Sequence, residues 1–332
     1  MQRIKRLFGK EVRGLDIKNL KVIQAPLAGI SDTVYRKLIR KYGAKETLLT
    51  TEMLSSEALN QVPDCNILKF ERVEYPLSFQ IAGHKPDLMA RAAKMLENRA
   101  SVIDINFGCP VQKIVKGGDG SSLMRNIPLA RKIVAAIRKE IKIPISAKFR
   151  LGWSEEEKNY IEFAKMLEEE GVDFITLHAR TRAQMYSGFA SLEDIKKLKE
   201  NVKIPVFANG DIKTIEDVKR CIEYANADGV SIGRGFVGDF SFPYRIEQYF
   251  KTGRIIQEPE LDEKIKMIKL HLEEEIKLRG EEFGIKFMRK FYPFYISGVK
   301  NASKLRSRLV LLNGKEEIFE VLDSVLCLYA SD

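Results

Sequence analysis

The chain has 332 residues, 45% hydrophobic and 31% charged, with a formal net charge of +10. That length exceeds one small domain and suits one large barrel with an appendage, and the charge points to an anionic partner, whether nucleic acid, membrane surface or phosphorylated metabolite, with a merely basic surface as the plain alternative. Four cysteines without a C-x-x-C pair, three histidines and no apolar run of ~18 residues argue against a metal site, a disulfide framework and a membrane span.

In chain order, short apolar runs end in polar or glycine-bearing turns and alternate with amphipathic, charge-rich stretches. The runs are VIQAPLAG from Val22, TLLTTEM from Thr47, PLSFQIAG from Pro76 and VIDINFGCP from Val102. PISAKFRLG from Pro144, FITLHAR from Phe174, PVFANGD from Pro205 and GVSIGRG from Gly229 follow. PLARKIVAAIRKE and SEEEKNYIEFAKMLEEEG typify the helical stretches between them. Strands alternating with helices imply a parallel sheet. Eight such units in about 250 residues predict an α/β fold of the (β/α)8 TIM-barrel type. The barrel is expected over 1–250 and a linker over 251–260, with Gly253 and Pro259 as breakers. From Leu261 to 332 the pattern is helical without a strand signal, which predicts a small C-terminal all-helical domain.

Chemistry in such a barrel sits at the C-terminal strand ends. There the sequence places Gln80, then Asn106 and Cys109, Lys148 and Arg150, His178 and Arg180, then Asn209, Gly210 and Asp211, and last Gly233, Arg234 and Gly235. A lysine within an apolar strand is costly to bury unpaired, so Lys148 is expected to meet an anionic or acceptor-rich group, an internal salt bridge being the alternative. His178 alone would pass for a satisfied core histidine; its place in the same ring of strand ends favours function. The glycines of ANGD and IGRG let backbone N–H groups approach a phosphate, and Arg234 adds a charged donor. GRGFVG from Gly233 fits G-x-G-x-x-G, but it closes the last strand with no parallel strand after it, which excludes a Rossmann site.

Taken together, APLAGISD, FQIAG, DINFGCP, SAKFRLGW, LHARTR, FANGDI and SIGRG resemble, in order and spacing, the tRNA-dihydrouridine synthases. Those are flavin enzymes that reduce selected uridines in tRNA, and MRKFYPFYISGVKNASKLR is similar to the helical domain of their bacterial B-type branch. The resemblance covers nearly the whole chain. It implies FMN as cofactor and NADPH or NADH as electron donor. It sets Pro26, Leu27 and Ala28 against the flavin, Gln80 at the isoalloxazine edge, Lys148 at the pyrimidine side and His178 as a further contact. Asn209, Gly210, Asp211, Gly233 and Arg234 match ribityl and phosphate contacts, Cys109 the catalytic acid and Asn106 a residue near the target uracil. Leu27 stands where methionine is common and Ala179 where glycine often follows the histidine, and FVGDFSFPY departs from the common GNPW ending.

Reducing the uracil C5=C6 bond takes a hydride at C6 and a proton at C5. Reduced flavin supplies the hydride, and an ordinary thiol, pKa about 8.5, is protonated and able to supply the proton. Cys109 sits just past an apolar run, with VQKIVKGGDG as a loop able to close over substrate. Lys113, Lys116, Arg180 and Arg182 are expected on the RNA. Cys65, Cys221 and Cys327 lack such context and are expected to be ordinary apolar side chains.

The helical domain offers Arg289, Lys290, Lys300, Lys304, Arg306 and Arg308 among Phe291, Tyr292, Phe294 and Tyr295. The cations suit a folded RNA read by shape and phosphate, while the aromatics themselves are expected to be core. The basic start MQRIKRLFGKEVRG lacks the apolar stretch of a secretory signal. A cytoplasmic monomer acting on tRNA, without membrane or metal, is the expectation. The alternatives are a flavin barrel reducing a small metabolite of dihydroorotate or enoate type, against which the basic appendage argues, and an RNA-binding protein that has lost catalysis.

Overall fold

The computed structural model describes residues 15–62, 69–299 and 301–329. Cys65 and Lys300 lie outside these residues, as does the side chain of Cys327. Among the described residues the chain separates into two compact units, one running to Thr33 and resuming over Glu46–Gly233, the other holding Val34–Lys45 and the chain from Arg234 onward.

The first unit is built on nine strands: β1 (Val22–Gln24), β2 (Leu49–Thr50), β3 (Leu54–Ser55), β4 (Leu77–Ala82), β5 (Val102–Phe107), β6 (Ile145–Arg150), β7 (Phe174–His178), β8 (Val206–Asn209) and β9 (Gly229–Ile232). The sheet order is β1-β9-β8-β7-β6-β5-β4-β2, with β3 also on β4. Every pair is parallel. The seam between β1 and β2 is a bridge from Ile23 to Leu48, held by Leu48 N–H to Val22 O at 3.0 Å and Gln24 N–H to Leu48 O at 2.9 Å. The sheet therefore closes on itself, as a (β/α)8 barrel, and a C-terminal helical region follows. The second predicted run, TLLTTEM, yields only the short β2, and β3 continues along β4 after a break.

Helices form where the apolar spacing and the caps agree. Ile127–Glu140 buries Ala130, Ile133, Val134 and Ile137 on one face, and the Asn126 side chain accepts from Leu129 N–H at its start. Ile215–Glu223 opens with a reciprocal capping box between Thr214 and Asp217. The stretch from Ser154 reads as helical in sequence, but the helix starts at Tyr160; 154–159 form a turn region.

Register partners in parallel strands share a face, and this decides what fills the barrel. Asp104 faces Gln80 and Ser146, Asn106 faces Lys148, and Arg150 and Asn209 flank His178. Ile103, Ile105, Phe107, Ala147 and Phe149 alternate with them, fully buried on the other face. The N-terminal end of the barrel is plugged by Leu20, Ile23, Leu48, Val102, Phe174 and Phe207. Above that apolar floor the inward positions are polar, which is costly unless each group finds a partner.

In the second unit, Phe242–Thr252, Leu261–Arg279, Glu281–Met288, Tyr292–Tyr295, Ala302–Leu309 and Lys315–Tyr329 are helical, and no strand occurs there among the described residues. Phe242–Thr252 groups with this unit, although the sequence expectation put all but its last two residues in the 1–250 segment. Gly253–Glu260 has no regular structure. The core is aromatic: buried His271 packs edge-on against Phe291 at 4.5 Å and Phe240 at 5.3 Å and hydrogen-bonds the Tyr295 hydroxyl at 2.9 Å. No helix of the described residues is long and apolar enough to cross a membrane.

Candidate active site

The end of β5 delivers Cys109 to the barrel mouth, free and half-buried. Its backbone is clamped on both sides. Cys109 N–H and Gly108 N–H donate to Asn106 Oδ1 at 2.9 and 3.1 Å. The Cys109 carbonyl accepts from Ser121 N–H at 3.1 Å and Ser121 Oγ at 3.0 Å. Arg150 Nε holds the Gly108 carbonyl at 2.9 Å. Gly120 closes the clamp at φ +60°, where a Cβ would stand 2.8 Å from the Cys109 carbonyl oxygen. The backbone at the thiol is thus fixed, while Lys113 and Lys116 of the short helix Gln112–Lys116 stay exposed beside it in sequence.

Beneath Cys109 lies a buried polar floor. Asn106 donates to Gln80 at 2.7 Å, Gln80 to Asp104 at 2.6 Å, and Ser146 to Asp104 at 2.6 Å. Burial pushes the Asp104 carboxyl above its usual range, opposed by the Ser146 and Gln80 donors and by the charge of Lys148.

Lys148 is half-buried by surface area, yet the protein mass around its amine is that of the barrel interior, and this dominates. Burial, with repulsion from Arg150, pulls it down to about 8, against the attraction of Asp104 and Cys109. It makes no hydrogen bond or ion pair among the described residues. Arg150, 2% exposed, instead spends Nη1 on the Thr181 and Met185 carbonyls, both at 2.9 Å, and lies 5.7 Å over the Tyr186 ring. The ring of His178 lies 6.2 Å from the same tyrosine. Tyr186 was invisible to sequence reasoning because it sits in an irregular loop with no strand-end spacing to mark it.

The loops after β7 and β8 are tied by Arg180. Its Nη2 meets Asp211 Oδ2 and the Gly188 carbonyl, both at 2.6 Å, and Nε meets the Ser187 carbonyl at 3.0 Å, while buried Nη1 has no partner. Gly210, at φ +127°, has no room for a side chain: a Cβ would lie 2.6 Å from Ala190 Cβ and 3.7 Å from that orphaned Arg180 nitrogen. Asn209 Nδ2 donates to the Ser231 carbonyl at 2.6 Å. Gly233 ends the first unit with its virtual Cβ 3.1 Å from Leu27 Cδ2, and Pro26, Leu27 and Ala28 follow β1 at the surface or half-buried. Arg234 is the first residue of the second unit and is exposed.

Arg182 stacks over Trp153 at 4.6 Å, and Arg125 lies over the same ring at 4.9 Å. In the second unit Phe291, Tyr292 and Tyr295 are buried core, and Arg289 is engaged with Asn313 at 2.9 Å. Lys290 caps the Phe287 ring at 3.2 Å, and Lys304 and Arg308 are exposed on Ala302–Leu309. Cys221 is buried, and burial pushes its thiol up to about 12. An unpaired amine at the mouth, an orphaned guanidinium nitrogen beside Gly210 and close-packed glycine backbones fit an anionic, acceptor-rich cofactor such as FMN. Asp104, Ser146, Ser121 and Gly120 were missed by sequence reasoning; the alternation in DINF and ISAKF, which turns Asp104 and Ser146 inward, was the signal for two of them.

The chain is 38% identical to a probable tRNA-dihydrouridine synthase of Rickettsia bellii, over 92% of this chain and 95% of that one. It is 34% identical to tRNA-dihydrouridine synthase B of Pasteurella multocida, over 95% of each. The barrel fold is shared with histamine dehydrogenase from Rhizobium sp. 4-9, at a TM-score of 0.54 and 12% identity over 85% of this chain and 51% of that one. The family described as Dihydrouridine synthase (Dus) matches residues 23–328, which takes in the barrel from the second residue of β1, the Cys109 clamp and the helical region. On that match and those relatives, the chain belongs to the dihydrouridine synthase family.

Proposed function

We propose that the protein reduces the C5=C6 bond of specific uridines in tRNA to 5,6-dihydrouridine, with FMN as cofactor and NADPH or NADH as electron source. The observation that carries this reading is Cys109, a free thiol at the mouth of a polar barrel whose backbone is clamped by Asn106, the register partner of the unpaired Lys148. When bound, reduced FMN supplies the hydride for C6, which no side chain can.

The chain's own residues do the rest. Lys148 offers a cationic donor to the pyrimidine edge of the cofactor, Gln80 a fixed amide, and His178 a ring above β7. Pro26, Leu27 and Ala28 lie along one side. Asn209, Gly210, Asp211 and Gly233 line the loops that would receive the ribityl chain and phosphate. Cys109 holds the proton for C5, and its fixed backbone limits where that proton can go. Asn106 stands next to the target base. The uridine must leave its stack to reach this depth. Lys113, Lys116, Arg180 and Arg182 border its path, and the exposed cations of the C-terminal helices supply phosphate contacts. Arg180 is the exception: it is 2% exposed, and the one nitrogen its internal ties leave over, Nη1, is buried beside Gly210 on the cofactor's side.

The test is direct. Purified protein should be yellow and release FMN on denaturation; tRNA added to the reduced protein should restore the oxidised colour and gain two mass units at defined uridines. Reoxidation by a dihydroorotate- or enoate-type metabolite and not by tRNA would favour the small-molecule alternative. Release of FAD would contradict the cofactor assignment.

A further inference from the structure

Four side chains on three neighbouring strands make one hydrogen-bonded chain whose direction is dictated from both ends. At one end, Gly108 N–H and Cys109 N–H can only donate, so Asn106 must present its oxygen to them, at 3.1 and 2.9 Å, and its nitrogen to Gln80, at 2.7 Å. At the other end, the Asp104 carboxylate can only accept, so Gln80 must turn its nitrogen to Asp104, at 2.6 Å, and its oxygen to Asn106. The two demands coincide, and neither amide can flip alone without setting like against like. Either protonation state of Asp104 preserves the direction. A proton on Oδ1 finds the Ser146 oxygen, 2.6 Å away, and Oδ2 still accepts from Gln80. Gln80, Ser146, Asp104 and Asn106 are 0%, 2%, 6% and 8% exposed, so water cannot substitute for a lost partner. The strand register builds this: Gln80 pairs with Asp104, Asp104 with Ser146, and Asn106 lies two residues on along the same face of β5.

We propose that Asp104 is a positioning residue, which fixes the Cys109 backbone through Gln80 and Asn106. This rests on the reading of Cys109 as the proton donor. Asp104 touches neither substrate nor the thiol; it acts by leaving Asn106 one orientation, and Asn106 anchors the amide of Cys109, whose preceding Gly108 carbonyl is held separately by Arg150. Ser121, on the Cys109 carbonyl, and Arg150 are independent of the hydrogen-bonded chain.

The experiment compares Asp104→Leu with Asp104→Asn in the full-length protein, each first checked for a wild-type circular-dichroism spectrum. An asparagine can keep its oxygen toward Gln80 and give its amino group to the Ser146 hydroxyl, so it preserves the direction; leucine cannot. Alkylation of Cys109 by iodoacetamide, followed by peptide mass without tRNA, is expected to speed up by about fivefold or more in Asp104→Leu, the weight of one net hydrogen bond, and to return to within about twofold in Asp104→Asn. Buried Cys221 is the internal control. Turnover of tRNA follows the same order, with kcat falling and KM unmoved. If Asp104→Leu does not fold, Gln80→Met breaks the same chain one link on and is expected to speed alkylation equally. An unchanged or slower alkylation of Cys109 in the folded variant, or an Asp104→Asn protein that behaves like Asp104→Leu, overturns the proposal. Because alkylation needs no tRNA, a wild-type protein that reduces no uridine would sink the functional reading while leaving this test standing.

Discussion

Arg180 Nη2 and Asp211 Oδ2 meet at 2.6 Å and tie the loop after β7 to the loop after β8. The pair is uneven, with Arg180 2% and Asp211 34% exposed. Removing the carboxylate leaves a buried guanidinium short of one partner, a loss of about 1–3 kcal/mol. Asp211→Ala is therefore expected to lower the urea midpoint clearly, while Asp211→Asn, which keeps an acceptor and tolerates the φ of +53° at this position, loses less. An alanine variant as stable as wild type would show that the tie does not hold the loops.

Gly120 tests the clamp from the other side. A methyl group there would be 2.8 Å from the Cys109 carbonyl oxygen and 3.0 Å from Cys109 Cβ, so one must move. Gly120→Ala is expected to cut tRNA turnover by about 10²-fold, the scale of an ångström's misplacement, without reducing bound flavin. Stopped-flow reoxidation and flavin absorbance read the two effects separately; full turnover in this variant would mean that the site tolerates a displaced Cys109.

Lys148 gives a pH dependence with a definite sign. Its amine is pulled from 10.5 to about 8, so it is charged below about 8 and neutral above. Affinity of the flavin-stripped protein for FMN is expected to weaken as pH rises through 8, and Lys148→Met should flatten that limb. The linkage to folding runs oppositely. A lysine harder to protonate in the folded chain costs stability below about 8, and that cost fades as pH climbs toward 10.5. A wild-type binding curve as flat as that of the variant would remove Lys148 from the cofactor's surroundings.

For the partner, charge reversal at the exposed Lys304 and Arg308 is expected to weaken tRNA binding and shallow its salt dependence by roughly one unit of slope per lost phosphate contact, with flavin content untouched. Filter binding across a salt series reads this. An unchanged slope would reduce the basic helices to a solvated surface.

The barrel was legible because its outward strand faces repeat every second residue and its helices every three to four; ISAKFR alone displays both an apolar and a polar face. The place of Cys109 at the barrel mouth was legible because the apolar run of β5 stops just before Cys-Pro. The second strand was less so: TLLTTEM yields only the two-residue β2, and β3 follows it at Leu54–Ser55, both paired to β4. Arg180 stood out as a strand-end cation facing substrate, yet most of its donors go to Asp211, Ser187 and Gly188, bonds between loops that no local spacing announces. Of the aromatics near Phe291 that read as core in sequence, Phe291, Tyr292 and Tyr295 are core and Phe294 is half-buried, because rings at helical spacing bury more readily than they serve an RNA.

The central claim is that Cys109 gives the proton to C5 while the hydride comes from the cofactor. Cys109→Ala separates the two in one stopped-flow experiment. Reduction of the bound flavin by the nicotinamide should stay near wild type, because no thiol proton is used there, and reoxidation by tRNA should slow by about 10²-fold or more. Reoxidation at the wild-type rate in that variant would contradict the account.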